Sequence, residues 1–390
     1  MAEVGIYTAM TRSSMSVRAA VLRQAGLPRP YAQSRPLSVE EVGLEPPGPG
    51  EALVKIVSAG LCHSDLAAVE GVRRFPLPVV LGHEAAGIVT ELGEGVTSAK
   101  VGDHVVLSFV ASCGRCVYCL SGRPALCDPG RQANRNATLI NGAKKFSKDG
   151  ELIGHHLGVS AFSEYTVVSD KSLIPLPKEL PLEKAALFGC AVTTSFGAVM
   201  NTARVRPGSS VAVFGCGGVG LNIVQATRIA GASTIIAVDV LDEKLEVASR
   251  LGATHVVNSR KTDPVEEVKK ITDGKGVDYA FEAVGLTNVM EQAFRTTKKQ
   301  GMTVCIGMTS PDNRIVIPST LLIDEERQLV GSFMGSAVPI RDIPILVNLY
   351  LQGRINLEYL ISRYITLDEI NEALDRLASG EAVRQIIKFK

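Results

Sequence analysis

The decapeptide Val211-Ala212-Val213-Phe214-Gly215-Cys216-Gly217-Gly218-Val219-Gly220 decides the fold of this chain. Four consecutive apolar residues read as a strand buried on both faces, and the glycine run after them opens a helix over Val219 to Ala230. In a Gly-x-Gly-x-x-Gly turn the first glycine permits the tight turn, the second lets a pyrophosphate approach the backbone, and the third lets the helix pack closely on the strand. Free N–H groups at the helix N-terminus then face the phosphates. Gly215, Gly217, Gly218, Val219 and Gly220 are therefore the expected cofactor-binding residues of this turn. Asp239 ends the next strand, nineteen residues after Gly220, which supplies the context a lone glycine hexamer lacks. A carboxylate there accepts hydrogen bonds from both adenosine ribose hydroxyls and repels a 2′-phosphate, so the expected cofactor is NAD rather than NADP. Lys244 is either a further ribose contact or part of a solvated helix face.

Outward from this turn, strand and helix alternate. Thr234 to Asp239 reads as a strand, Asp242 to Leu251 as a helix, and Val277 to Glu282 and Gly301 to Ile306 as two more strands, a pattern that builds a parallel Rossmann sheet over 192–334. Before it the texture differs. Short β-rich runs at Ala52 to Val57, Ala86 to Leu92 and His104 to Phe109, separated by turns such as Pro47-Gly48-Pro49-Gly50, predict a mainly-β domain over 1–191, built as a partly open barrel. Helices near Asp342 to Gln352 and Leu367 to Leu377 and a strand at Arg384 to Phe389 predict that 335–390 returns to the first domain. The fold class is thus α/β plus mainly-β. Residues 1 to about 16 show no clear periodicity and read as a loosely held extension or a first strand.

Composition narrows the functions. With 41 basic and 40 acidic residues the net charge is +1, so no global field recruits nucleic acid or an anionic membrane. No run approaches eighteen apolar residues, and the N-terminus lacks the apolar core of a secretory signal, so the expected location is cytoplasmic. In that reducing setting, thiols favour metal ligation over disulfides.

Of eight cysteines, Cys113, Cys116, Cys119 and Cys127 fall within fifteen residues. Four thiolates in one loop satisfy the tetrahedral preference of Zn²⁺ and leave no vacancy, so 113–127 reads as a closed structural zinc lobe. Nucleic-acid ribbons use the same ligands, but Arg115, Arg123 and Tyr118 make too thin a basic and aromatic footprint for that role. Cys62, His83 with Glu84, and Cys190 are far apart in sequence. A Cys, His, Cys set keeps a fourth position for substrate or water, although a lone His beside an apolar strand is usually structural and spacing alone does not decide between the two. Cys216 and Cys305 read as small packing residues.

At these residues the chain resembles the zinc-dependent alcohol dehydrogenases of the medium-chain dehydrogenase/reductase superfamily, from about residue 17 onward. Cys62-His63-Ser64-Asp65, Gly82-His83-Glu84, the four-cysteine lobe, Gly189-Cys190 before Val192-Thr193-Thr194, the glycine turn and Arg384-Gln385-Ile386-Ile387 occur in family order. The resemblance implies a GroES-like catalytic domain joined to the Rossmann domain, two Zn²⁺ per chain, and NAD. It makes Cys62, His83 and Cys190 the catalytic zinc ligands, Glu84 an alternate ligand behind the metal, and Asp65 the acceptor that orients His83. Ser64 accepts the alcohol proton, His63 and Arg384 lie near the pyrophosphate, and Thr194 and Val284 complete the cofactor site. The implied reaction is reversible oxidation of primary, and also secondary, aliphatic or aromatic alcohols to aldehydes or ketones, with hydride passing to NAD.

Phe109, Leu126, His156, Leu157 and Met308 line the implied substrate channel. Where horse-liver-like members carry a proton-conducting histidine, this chain has Ala67, which leaves the proton exit open. Arg131 takes the place of an anion-binding arginine of the glutathione-dependent formaldehyde dehydrogenases of the same family, the alternative activity. Against that alternative, the acidic residue of those enzymes aligns near Arg73, and their tyrosine is Phe109. A non-catalytic NAD- and zinc-binding protein is the alternative from another class. The expected partners are a small alcohol or aldehyde and a second copy of the chain, as a homodimer or homotetramer, with Gln328 to Phe333 as a pairing edge, and neither nucleic acid nor membrane.

Overall fold

The computed structural model describes residues 13–390, so of the N-terminal extension residues 1–12 lie outside the described part, and from Met15 the chain is already strand. Three sheets organise the molecule. Met15–Leu22, Leu37–Leu44, Phe146–Lys148, Glu151–His155 and Val79–Val80 close into a small barrel. A seven-stranded sheet is built around Glu51–Leu61, which pairs with Glu84–Leu92 on one edge and Arg384–Lys388 on the other, while Tyr165–Ser169 also adds to it. The barrel is thus closed rather than partly open, because the chain spreads its remaining β-structure into this second sheet.

The third sheet has six strands, all parallel, in the order His255–Asn258, Thr234–Asp239, Ser210–Phe214, Val277–Glu282, Thr297–Cys305, Gln328–Gly331. Val211, Ala212, Val213 and Phe214 are all buried, the signature of a central parallel strand covered by helices on both faces. The helix Gly218–Ile229 follows at once. Strand Gln328–Gly331 is the sheet's edge, as expected for that segment.

The C-terminal segment ties the halves together. Strand Arg384–Lys388 runs antiparallel to Glu51–Leu61 with Gln385 opposite Leu61, so Arg384 sits just beyond the end of the strand that delivers Cys62. Helix Ile370–Ala378 lies against the helix His63–Val69, and the Asp375 carboxylate accepts the Tyr31 and Ala32 N–H groups at 2.7 and 2.9 Å. Among the described residues no single helix is long and apolar enough to cross a membrane, and the bent pair Leu182–Gly189 and Ala191–Ala203 is mostly interior.

Candidate active site and zinc centres

Each half of the cleft offers one part of the site. Strand Glu51–Leu61 ends at Cys62, which starts the helix His63–Val69; the Asp65 carboxylate caps that helix by accepting the Cys62 N–H at 3.0 Å. The other Asp65 oxygen lies 3.1 Å from His83 Nδ1 and 3.3 Å from His156 Nδ1. A donor bond from Nδ1 to Asp65 leaves Nε2 of His83 as the lone-pair ligand, the arrangement that fixes a metal-binding imidazole. Cys190 opens the helix Ala191–Gly197. One ligand atom from each of Cys62, His83 and Cys190 lies within 4.8 Å of the others, and all three residues are buried.

The charges around this cluster are coupled. Burial works against a charged His83, yet Asp65 and Cys62 lift its pKa to about 10. Asp65 resists its own desolvation because His83 and His156 hold it at about 2. Of the sulfur pair, hydrogen bonding to Cys190 pulls the Cys62 thiol well down while the same contact, with burial, pushes Cys190 well up. Two sulfurs, an imidazole and the Asp65 carboxylate are thus gathered in one buried volume, a donor set that suits a divalent cation. Two sulfurs and an imidazole fit zinc with one coordination position left over.

Behind this cluster the wholly buried Glu84 has Oε2 3.5 Å from Arg384 Nε, an ion pair, and Oε1 3.5 Å from the Ala191 N–H. Burial pushes the Glu84 carboxyl up to about 7, opposed by Arg384. Gly60 makes the space: a Cβ there would stand 2.9 Å from Glu84 Cδ. Ser64 is half-buried on the first turn after Cys62, and among the described residues no side-chain hydrogen bond occupies its hydroxyl.

The glycine turn is shaped as its sequence requires. Gly215 has φ +90°, and a Cβ on Gly220 would sit 1.7 Å from the Gly215 carbonyl oxygen. A Cβ on Gly217 would meet nothing within 4 Å, so packing within the chain does not require the bareness of that position. Arg384 Nε lies 3.1 Å from where a Gly218 Cβ would be, Val284 overlies Gly215, and Val219 opens the helix beside them. Desolvation in the cleft lowers the exposed-edged His63 imidazole, and the Arg384 and Lys244 charges add to the effect, so three basic groups share the neighbourhood of the turn. Asp239 is held firmly: Oδ2 accepts the Cys216 N–H at 2.7 Å, and Oδ1 accepts those of Val240 and Leu241 at 2.7 and 3.0 Å. Thr194 is buried, its hydroxyl 3.3 Å from Met334 Sδ.

In the lobe the four sulfurs of Cys113, Cys116, Cys119 and Cys127 also lie within 4.8 Å of one another, and no cysteine forms a disulfide. Backbone N–H groups of Cys113 and Gly130 point at Cys127 Sγ at 3.2 and 3.5 Å, and that of Cys116 at Cys113 Sγ at 3.3 Å, bonds that favour thiolates. The Arg115 N–H does most to pull Cys113 down to about 6, whereas burial pushes Cys119 up to about 12. The sulfur set fits a tetrahedral zinc with no place open.

The side chains around the open site are aromatic. Phe109 packs edge-on to His83 with ring centroids 5.3 Å apart, and His156 does so at 5.5 Å. Phe75 stacks edge-on to His156 at 4.9 Å, and Phe333 to Phe109 at 6.4 Å. Leu126 and Phe333 share a further cavity of about 390 Å³. Leu157 is buried at φ +53°. Met308, read as a channel residue, is half exposed at the mouth, where Arg73 Nη1 approaches its sulfur at 3.9 Å. Cys216 is fully buried, but Cys305 is only partly so, since it ends its strand and lines the Leu126 cavity. Sequence reasoning missed Phe75, one apolar residue in an irregular segment, and read Phe333 as part of the pairing edge; the strand ends at Gly331, and the Phe333 ring packs on Phe109 instead.

Two family models match the chain, "Alcohol dehydrogenase GroES-like domain" over residues 48–178 and "Zinc-binding dehydrogenase" over residues 218–352. The S-(hydroxymethyl)glutathione dehydrogenase of Escherichia coli O1:K1 / APEC is 40% identical over 362 residues, 92% of this chain and 98% of that protein. This chain belongs to the zinc-binding medium-chain alcohol dehydrogenase family. Among solved structures, the alcohol dehydrogenase zinc-binding domain protein from Burkholderia ambifaria superposes with a TM-score of 0.91 at 37% identity, covering 97% of this chain and all of that one. Benzyl alcohol dehydrogenase from Acinetobacter calcoaceticus gives 0.90 at 33% identity, covering 96% of this chain and all of the other. The family membership makes the chain a zinc-dependent oxidoreductase with a GroES-like domain and a Rossmann domain, and it suggests a nicotinamide cofactor.

Proposed function

We propose that this dehydrogenase carries out the reversible, NAD-linked oxidation of primary alcohols, aromatic ones included, to aldehydes. The observation that carries the reading is the buried Cys62, His83, Cys190 cluster, with three ligand atoms within 4.8 Å and the Phe109 and His156 rings packed edge-on against His83. A bound Zn²⁺ would polarise the alcohol oxygen and make its proton easier to lose.

The chain's own residues do the rest. Cys62, His83 and Cys190 hold the ion, Asp65 fixes the ring of His83, and Glu84 with Arg384 supplies charge behind it. Ser64, two residues after Cys62 and with no side-chain hydrogen bond on its hydroxyl among the described residues, takes the proton from the alcohol oxygen as its own hydroxyl proton passes on towards the nicotinamide ribose. Phe109, His156 and Leu157 exclude water and orient the substrate carbon towards a nicotinamide beside Thr194 and Val284. The bare Gly217, with His63 and Arg384 nearby, receives the pyrophosphate; Asp239, already aligned by three N–H groups, receives the adenosine ribose and disfavours NADP, and Lys244 adds a contact. Edge strand Gln328–Gly331 is the pairing surface of a homodimer or homotetramer.

Reduction of NAD by benzyl alcohol, followed at 340 nm beside the same assay with NADP, tests the reading. Activity with NAD alone supports it, and a preference for NADP overturns the role given to Asp239. A second reading, oxidation of the glutathione adduct of formaldehyde, is favoured by the 40% identity to the Escherichia coli protein and by Arg131.

A further inference from the structure

A cleft of about 910 Å³ in the Rossmann domain shares no residue with either zinc centre or with the glycine turn. It lies at the amino-terminal edge of the parallel sheet, where Gly274 and Lys275 lead into strand Val277–Glu282 and Lys298, Lys299 and Gln300 begin strand Thr297–Cys305. The glycine turn and Asp239 stand at the carboxyl ends of their strands, so cleft and cofactor site occupy opposite edges, a strand length or roughly 20 Å apart. Six cations line the cleft: Lys269 on helix Pro264–Ile271, Lys275 on the turn after it, Arg295 on helix Thr287–Thr296, Lys298 and Lys299 on the strand, and Arg327 ahead of the edge strand.

Hydrogen bonds within the domain fix these walls. The buried Arg327 binds Glu325 and donates to the Phe294 and Arg295 carbonyls at 3.1 and 3.3 Å, which anchors the end of the helix that carries Arg295. Lys298 Nζ lies 2.6 Å from Asp278, itself held by the Ser210 N–H and hydroxyl, each at 2.8 Å. The Gln300 N–H donates to the Glu325 carbonyl at 2.8 Å and its side-chain amide to Glu326 at 2.9 Å, so the strand is tied to the segment across the cleft. The ion pairs of this region are Lys270 with Glu267, Lys298 with Asp278 and Arg327 with Glu325, so among the described residues Lys269, Lys275, Arg295 and Lys299 have no carboxylate within ion-pair distance. Of the three carboxylates on the walls, Asp263 caps its helix by accepting the Val265 and Glu266 N–H groups at 2.7 and 3.1 Å, and Glu325 holds Arg327. That leaves Glu266 alone against four free cations.

Complementing the helix macrodipoles accounts for Lys269 and Arg295, each in the last turn of its helix. It does not account for Lys275 and Lys299, which lie on a turn and a strand and enlarge a like-charged cluster that repels itself. A multivalent anion relieves that repulsion, and the cleft has the size of a small-molecule site. No aromatic ring lines it, so nothing there stacks a nucleotide base, and lysines meet phosphate oxygens as point charges. We propose that the cleft is an oligophosphate-binding site, which takes a compact chain of two or more phosphates between Lys269, Lys275, Arg295 and Lys299. The site is independent of the alcohol dehydrogenase reading, because none of its residues belongs to the active site.

Calorimetric titration of the zinc-loaded enzyme with sodium triphosphate, in saturating NADH so that the glycine turn is filled, tests the site. The expected result is one triphosphate per chain, bound about 10-fold or more weakly by K275Q/K299Q and by R295Q, as for loss of charged hydrogen bonds, and weakened by added salt. K100Q/K178Q removes two exposed lysines elsewhere and should leave the affinity unchanged, which separates the cleft from net charge. Lys275 and Lys299 are exposed, so K275Q/K299Q should keep the parent's thermal midpoint without ligand and lose the upward shift that triphosphate gives the parent. Citrate, a multivalent carboxylate, should bind about 10-fold more weakly than triphosphate, and equal affinity overturns the choice of phosphate. Absence of binding, binding seen only without NADH, or an affinity that K275Q/K299Q leaves within about twofold of the parent's overturns the site itself.

Discussion

The four-cysteine lobe and the Cys62, His83, Cys190 site use the same sulfur chemistry in opposite settings. In the lobe the ligands come from one short stretch, three of the four cysteines are only half-buried, and the partners of the sulfurs are backbone N–H groups and one another. At the open site the ligands come from three distant segments, every one is buried, and charged side chains surround them: Asp65 on His83, and Glu84 with Arg384 behind. A loop that folds around its own ligands holds a metal and does little else; a site assembled from separate elements can leave a coordination position facing a pocket. The charged shell is therefore a mark of the reactive site, since charges beside a metal tune its ligands and cost stability to bury.

That contrast gives unequal expectations for the two sites. The largest effect belongs to the open one: C62S or H83A should lower kcat by about 10³-fold or more, the several kcal/mol a polarising metal supplies, while NADH binding measured by fluorescence persists. Retention of near-normal turnover would make the two sites equivalent and break the comparison. D65N comes next. It leaves a side chain of the same shape near His83, a carboxamide in place of the carboxylate, but removes the charge, and kcat or zinc affinity should fall by about 10- to 100-fold, as for other groups that orient a metal-bound imidazole. In the lobe, C116S should instead lower the thermal midpoint, by about 5–10 °C for a loss of a few kcal/mol, with kcat per folded molecule within about threefold of the parent. A collapse of kcat at unchanged Tm would show that the lobe shapes the pocket directly. The smallest effect sharpens the proton path: A67H places an imidazole three residues after Ser64, and the apparent pKa of the kcat profile should move by about one unit or less, with no change in zinc content.

The two sites also differ in how much of them could be read before the fold was known. The lobe was legible from spacing alone, because four thiols within fifteen residues are already neighbours along the chain. The glycine turn was legible for the same reason, its strand, turn and helix being local, and Asp239 marks the end of the adjacent strand. Cys62, His83 and Cys190 needed the resemblance, since nothing in their spacing says that the seven-stranded sheet and the helix Ala191–Gly197 meet. Phe75 was illegible because its partner His156 lies some eighty residues on, in another irregular turn of the same domain, and Phe333 and the approach of Arg73 to Met308 because those contacts join loops of different domains. The closing of the barrel was missed because its fifth strand is the two-residue Val79–Val80, too short to show a period.

Zinc content measured together with activity during timed removal by a chelator such as dipicolinate tests the central claim most directly. The parent should hold two Zn²⁺ per chain, the first ion to leave should take the alcohol-dependent reduction of NAD with it while the thermal midpoint stays put, and C62S should start with one. A parent enzyme with a single zinc, or turnover that survives the loss of the first ion, would contradict the assignment of an open catalytic site beside a closed structural one.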